Sequence, residues 1–126
     1  MSELALFAIS SQRMQWLSAR QSAIASNIAN ADTPGYRARD VAAFEGYLNG
    51  ARLDVSTTRQ GHLSTAPANG IDVKPTERGV GEAKHSGNSV SLEHELIRAG
   101  EVKGSHALTL SIVKSFQDML LSAVRK

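Results

Sequence analysis

Residues 26–36 read Ser26-Asn27-Ile28-Ala29-Asn30-Ala31-Asp32-Thr33-Pro34-Gly35-Tyr36. This stretch closes a helix, turns the chain and opens a polar loop. Pro34 pushes Thr33 out of the α region, so no helix continues through it. Gly35 directly after Pro34 suits the third position of a type II turn, which needs a positive φ. The side-chain amides of Asn27 and Asn30 are placed to satisfy backbone groups left free at a helix end.

N-terminal to this turn, the spacing predicts one helix from about Leu4 to Asn30, roughly 40 Å long at 1.5 Å per residue. Phe7, Met14, Leu17, Ile24, Ile28 and Ala31 recur at steps of three, four or seven residues, and Ser10 and Gln21 fill the remaining seam positions. This is a heptad seam. The flank is rich in small residues, among them Ser18, Ser22 and Ala25, which let another helix come close. Ile9 and Trp16 lie off the seam, seven residues apart. They either pack on the chain's own loop or face a neighbouring subunit, and because few apolar side chains in the middle of the chain could cover them the second reading is preferred.

C-terminal to the turn, residues 37–91 carry turn signals, with glycines throughout and prolines at 67 and 75. Phe44, Tyr47 and Leu48 suit a short helical turn. Leu53-Asp54-Val55 and Ile71-Asp72-Val73 alternate like short strands and are expected to pair as a small hairpin. A second long helix is predicted from about Ser91 to Arg125. Ser91 is its N-cap, Glu93 and Glu95 complement the positive end of its dipole, and Arg125 and Lys126 the negative end. Its stripe is Val102, Ser105, Thr109, Ile112, Phe116, Met119 and Ala123, broadened by Val113, Leu120 and Val124. Gly100 and Gly104 interrupt it at about 1 kcal/mol each relative to Ala, either as weak points or as places where another backbone crosses.

The fold expected is therefore mainly α. Residues 1–31 form the N-terminal helix, 32–91 the turn and central loop, and 92–126 the C-terminal helix. The terminal helices pair as a coiled-coil-like hairpin, with Phe7, Met14, Leu17, Ile24 and Ile28 set against Ile112, Phe116, Met119 and Ala123. With 126 residues and few aromatic side chains, such a hairpin buries little surface and the free chain should be marginally stable.

Composition excludes several functions. Fourteen basic and twelve acidic side chains, with no run of one sign, give no electrostatic footprint for nucleic acid. No cysteine is present for a disulfide or thiolate site. No apolar run approaches the roughly 20 residues of a membrane span, and no membrane insertion is expected. The first basic residue, Arg13, follows rather than precedes the apolar patch from Leu4 to Ile9, which is not a signal-peptide pattern. His94-Glu95-Leu96-Ile97-Arg98 lacks the second histidine of a zinc-protease helix. Gly79-Val80-Gly81 lacks the rest of a phosphate loop. No metal, cofactor or catalytic residue is expected.

Residues 20–41 resemble the N-terminal signature of bacterial flagellar rod and hook proteins, whose members share an Asn-Ile-Ala-Asn core, here residues 27–30, and a Thr-Pro-Gly-aromatic turn, here residues 33–36. The continuation from Ala31 to Asp40 and the short chain look most like a proximal-rod member. Gly87-Asn88-Ser89-Val90-Ser91-Leu92-Glu93-His94-Glu95-Leu96 is similar to a second family block before the closing helix. Gly100 and Gly104 depart from the more strongly helical closing segment of such relatives. The resemblance implies a structural subunit without catalytic activity. Its motif residues Asn27, Ile28, Asn30, Thr33, Pro34, Gly35 and Tyr36 would shape the helix end and turn. Its terminal helices would build the rod's inner tube with neighbours, transmit torque and line the export channel. Implied partners are copies of itself, other rod subunits, the rod-base adaptor, the membrane-ring protein and the flagellar type III export apparatus. The implied location is the basal-body rod in the periplasmic space, reached without a cleaved signal. The alternative from another class is a small helical adaptor or secretion chaperone that binds an exported partner through its seam.

Overall fold

A computed structural model describes residues 2–52, 73–75 and 84–125. Its elements are α1 (Ser2–Ala29), β1 (Arg39–Val41), α2 (Phe44–Arg52), β2 (Val73–Pro75) and α3 (Leu92–Val124). Both long helices occur where the apolar periodicity placed them, and α1 stops at Ala29, four residues before Thr33. Over residues 30–36 the helical ladder gives way to turns, ending in one closed by the Tyr36 N–H on the Thr33 carbonyl (3.3 Å). Gly35 takes φ +72° there, as a type II turn requires. Ser91 occupies the N-cap of α3, but its hydroxyl makes no capping bond.

The long helices pack on each other. Phe7 near the start of α1 meets Phe116 late in α3, edge to face with ring centroids 5.7 Å apart. Asn27 near the end of α1 meets Glu95 in the first turn of α3. The order is reversed, so the pair runs antiparallel. Leu17, Ile24 and Val102 form the buried floor between the helices. Phe7, Met14 and Ile28 are half-buried beside it, and Gln21 is exposed.

The inner face of α3 differs from the expected stripe. Glu95, Val102 and Thr109 are buried at seven-residue spacing, and Val113, Phe116 and Leu120 continue the line half-buried. Ile112, Met119 and Ala123 are exposed and take no part in the seam within the chain. The cause is geometric. A straight helix turns about 100° per residue, so alternating three- and four-residue steps drift off a fixed face unless the helix supercoils. No other backbone or side chain lies within 4 Å of the space a Cβ would take on Gly100 or Gly104, so neither marks a close crossing within the described residues.

One flank of the helix pair is covered by the segment that follows the turn. β1 pairs antiparallel with β2, with Arg39 opposite Pro75 and Val41 opposite Val73. Val73 thus pairs with Val41. Leu53–Val55, expected to be its partner, lies outside the described residues. The short turn expected at Phe44 is a nine-residue helix. Trp16 corrects a second expectation. Its ring is buried, tilted against Phe44 at 5.8 Å, and its indole N–H donates to the Ala42 carbonyl at 2.7 Å. The chain's own β1–α2 segment covers Trp16, while Ile9 remains exposed.

The other surfaces of α3 are bare. Nine of the ten exposed large hydrophobic side chains among the described residues belong to it. Over its most apolar 18 residues the mean hydropathy is 1.2, so by length and composition α3 could cross a membrane. No continuous apolar run of that length occurs in it, as the sequence reading has it. Interspersed Ser, Thr and Gly conceal the apolar content when only continuous runs are counted.

Candidate functional site

The densest polar structure lies where the end of α1, the Pro34-Gly35 turn, β1 and the start of α3 meet. Asn27 is its centre and is fully buried. Its amide nitrogen donates to the Arg39 carbonyl (2.8 Å) and to Glu95 Oε2 (3.2 Å). Its amide oxygen accepts the Arg39 N–H (2.9 Å) and the Tyr36 hydroxyl (3.3 Å). Both donors and both lone pairs are thereby used. Asn27 engages both backbone groups of Arg39 and so acts as a one-residue strand partner at the opening of β1. It reaches forward to the loop instead of capping its own helix.

Asn30 does serve the helix end. Its amide donates to the Ser26 carbonyl at 2.8 Å, and its oxygen accepts the Thr33 hydroxyl at 3.2 Å. The remaining carbonyls are met from across the chain. Asn88, also buried, donates to the carbonyls of Asn30 (2.9 Å) and Thr33 (2.8 Å) and accepts the Val90 N–H (2.7 Å). Two carbonyls of the turn after α1, each already accepting a local N–H, thus gain a second donor from a residue far away in sequence. The Gly35 N–H donates to the Ser86 carbonyl, the Ser89 N–H to the Tyr36 carbonyl, and the Ala38 N–H to Ser89 Oγ. Gly87 has φ +74°, and a Cβ there would sit 3.6 Å from the Gly35 backbone. The two glycine turns lie against each other, each in a backbone conformation that other residues adopt at a cost of about 1–2 kcal/mol.

A charged branch leaves the same hub. Glu95, buried in the first turn of α3, accepts from Asn27 and lies 3.5 Å from Arg98 Nη1. Arg98 reaches the Asp40 carboxylate at 3.7 Å, and Arg20 reaches it at 3.5 Å. Asp40 on β1 therefore lies between α1 and α3. Arg20 also sits over the Trp16 ring, and Arg13 over Phe44, each at 5.4 Å. The arrangement holds no nucleophile–base pair, and no cluster of metal-ligating side chains occurs among the described residues. What it does is join four segments rigidly.

The structure brings Asn27, Asn30, Thr33, Gly35 and Tyr36 into this one hub. Pro34 is exposed at its edge, and Ile28 packs beside the core. Asn88, Glu95 and Asp40 were not singled out from the sequence as members. One signal was available. The helix-3 stripe begins at Val102, and stepping back seven residues lands on Glu95, an acidic residue at an inward-facing position.

Residues 7–37 match the family model described as flagella basal body rod protein. The flagellar basal body rod protein FlgB of Agrobacterium fabrum is 37% identical over 131 aligned positions, covering 100% of this chain and 97% of that relative. FlgB of Buchnera aphidicola is 31% identical over 98 positions, 73% of each chain. FlgB of Yersinia ruckeri is 31% identical over 84 positions, 60% of this chain and 61% of that protein.

Proposed function

The chain belongs to the FlgB family of flagellar basal body rod proteins, and on that premise we propose that it builds the rod through surface its own fold leaves uncovered. The family is one of structural rod components and not of enzymes, and its place is the flagellar basal body. The observation that carries the reading is the bare α3 helix, with nine exposed large hydrophobic side chains. Burying one Leu, Ile or Met side chain contributes about 1.5–3 kcal/mol. Exposed apolar side chains gathered on one helix in this number mark an interaction site. Its satisfied arrangement here is burial against other rod components, among them copies of the chain.

In this reading the antiparallel helix pair is a coiled-coil-like hairpin that forms the structural unit, and the polar hub fixes its geometry. Neighbouring hairpins transmit torque and surround the export path. The subunit leaves the cytoplasm through the flagellar type III apparatus without a cleaved signal and meets the rod-base adaptor and membrane ring in the periplasmic space. The adaptor or chaperone alternative has no support in the comparisons. Electron microscopy of basal bodies from cells lacking this chain tests the reading. Rings without a rod are expected; an intact rod would overturn it.

A further inference from the structure

One flank of the helix pair is covered by β1 and α2; the opposite flank is an open groove of ≈740 Å³. Leu17 and Val102 floor it, and Ser18, Ser22, Ala25 and Gly100 give it low walls. No atom fills the space beside Gly100. Lys103 and His106 stand at its α3 edge. On α3, the groove residues Ala99, Lys103 and His106 point in one direction. At about 100° per residue, Leu108, Ile112 and Met119 lie about 180° away on the same helix. These three are 61%, 49% and 61% exposed, and Glu101 lies in line with them. The molecule therefore carries a low-walled groove with a basic edge and, on the opposite face of the same helix, a row of large apolar side chains with an acidic member.

We propose that the ridge of Leu108, Ile112 and Met119 on one copy seats in the groove between α1 and α3 of the next copy. The inference rests on the reading of the chain as a rod subunit and names the surfaces that would join. Three features select a second copy as the occupant. The small groove residues admit a helix closely, and the ridge supplies large side chains at helical spacing to fill it. Glu101 on the ridge and Lys103 at the groove have opposite charge. Because the surfaces face opposite ways, the contact is head to tail: each added copy offers a fresh ridge, and the series stays open unless its rotation closes a ring. The ridge also accounts for Ile112 and Met119, which the fold of the single chain leaves outside its seam.

The chain has no cysteine, so single cysteines report contacts cleanly. Full-length Ser22→Cys and Ile112→Cys proteins, each altered at an exposed position, are mixed and treated with a short bismaleimide. The mixed pair should cross-link several-fold more than either protein alone. Equal yields, no yield, or dominant cross-linking of Ile112→Cys with itself would overturn the ridge-in-groove contact. In cells, Ile112→Asp and Ser22→Tyr should each stop rod growth while the subunit is still exported. If those strains build rods and cells lacking the chain do not, the contact is wrong and the rod reading stands. If cells lacking the chain also build rods, the rod reading itself fails.

Discussion

Replacing Asn27 with alanine should remove more stability than any other single polar change among the described residues. The amide makes four hydrogen bonds, to the Arg39 carbonyl and N–H, to Glu95 and to the Tyr36 hydroxyl. A net intramolecular hydrogen bond contributes about 1 kcal/mol, and stranding a buried partner costs about 1–3 kcal/mol more. Glu95 and the Arg39 backbone become the stranded groups. Their relaxation and partial access to water limit the total, and about 3–5 kcal/mol is expected. Domains of this size have only about 5–15 kcal/mol in all, so the variant should lose a large share of its stability. The assay is urea unfolding of the purified chain followed by helical circular dichroism, with Ser26→Ala as the neighbouring control. The Ser26 hydroxyl makes one exposed 3.2 Å contact, and its loss should stay within about 0.5 kcal/mol. Hydrogen exchange gives an independent readout, because the Arg39 N–H donates to Asn27 and should lose protection in the variant. An Asn27→Ala protein within about 1 kcal/mol of the Ser26→Ala control, with the Arg39 amide still protected, would refute the hub as the structural centre.

Three further outcomes follow from single contacts. Trp16→Phe keeps the ring packing on Phe44 but loses the 2.7 Å bond to the Ala42 carbonyl; a loss of about 1–2 kcal/mol is expected in the same unfolding assay, and no loss would mean that the β1–α2 segment is held by packing alone. Gly104→Ala meets open space and should gain up to about 1 kcal/mol of helix stability; a destabilised free chain by thermal melting would count against the exposed, unbent helix. Asp40→Asn removes the pairing with Arg20 and Arg98. These groups are partly exposed, so the cost is about 0.5–1 kcal/mol, and wild-type stability should fall with added salt more steeply than that of the variant.

The end of α1 was legible because its causes are local. Pro34 and Gly35 set the turn, and the apolar period sets both helices. The hub was only half legible. Asn27 and Asn30 stood out as amides near a helix end, but the partners of Asn27 are Arg39 and Glu95, and nothing within a few residues announces them. A buried polar side chain is legible only when both the phase of its helix and the identity of its partner are known, and the second is a long-range property. The choice between the two readings of Trp16 is not legible in the sequence for a related reason. The residues that cover it, Ala42 and Phe44, belong to a stretch whose composition reads as loop, and its cover became visible only once β1 had been laid across α1 by the hub. Of the stripe expected on α3, Val102, Thr109 and Phe116 turn inward while Ile112, Met119 and Ala123 do not, because a seven-residue repeat does not by itself say which of two neighbouring apolar lines continues the buried face.

The hub also explains why two separated blocks of sequence go together. Asn88 closes the carbonyls at the end of α1, and Asn27 supplies a partner to the buried Glu95 carboxylate of α3. Removing Asn88 takes one donor from each of two turn carbonyls, and removing Asn27 takes the amide donor from the buried Glu95 carboxylate, at about 1–3 kcal/mol for the buried group. The two helices share only a thin apolar floor, so hydrophobic burial alone specifies their register weakly. A buried polar pair at one fixed position excludes shifted registers, since any slip strands both members. Asn27 and Glu95 meet where the end of α1 lies beside the start of α3, and the exposed apolar row of α3 continues away from them. The buried pair thus fixes where Leu108, Ile112 and Met119 lie relative to α1. Asn27→Ala should therefore reduce assembly more than its effect on helix content alone, because a hairpin with loosened register offers that row in several positions.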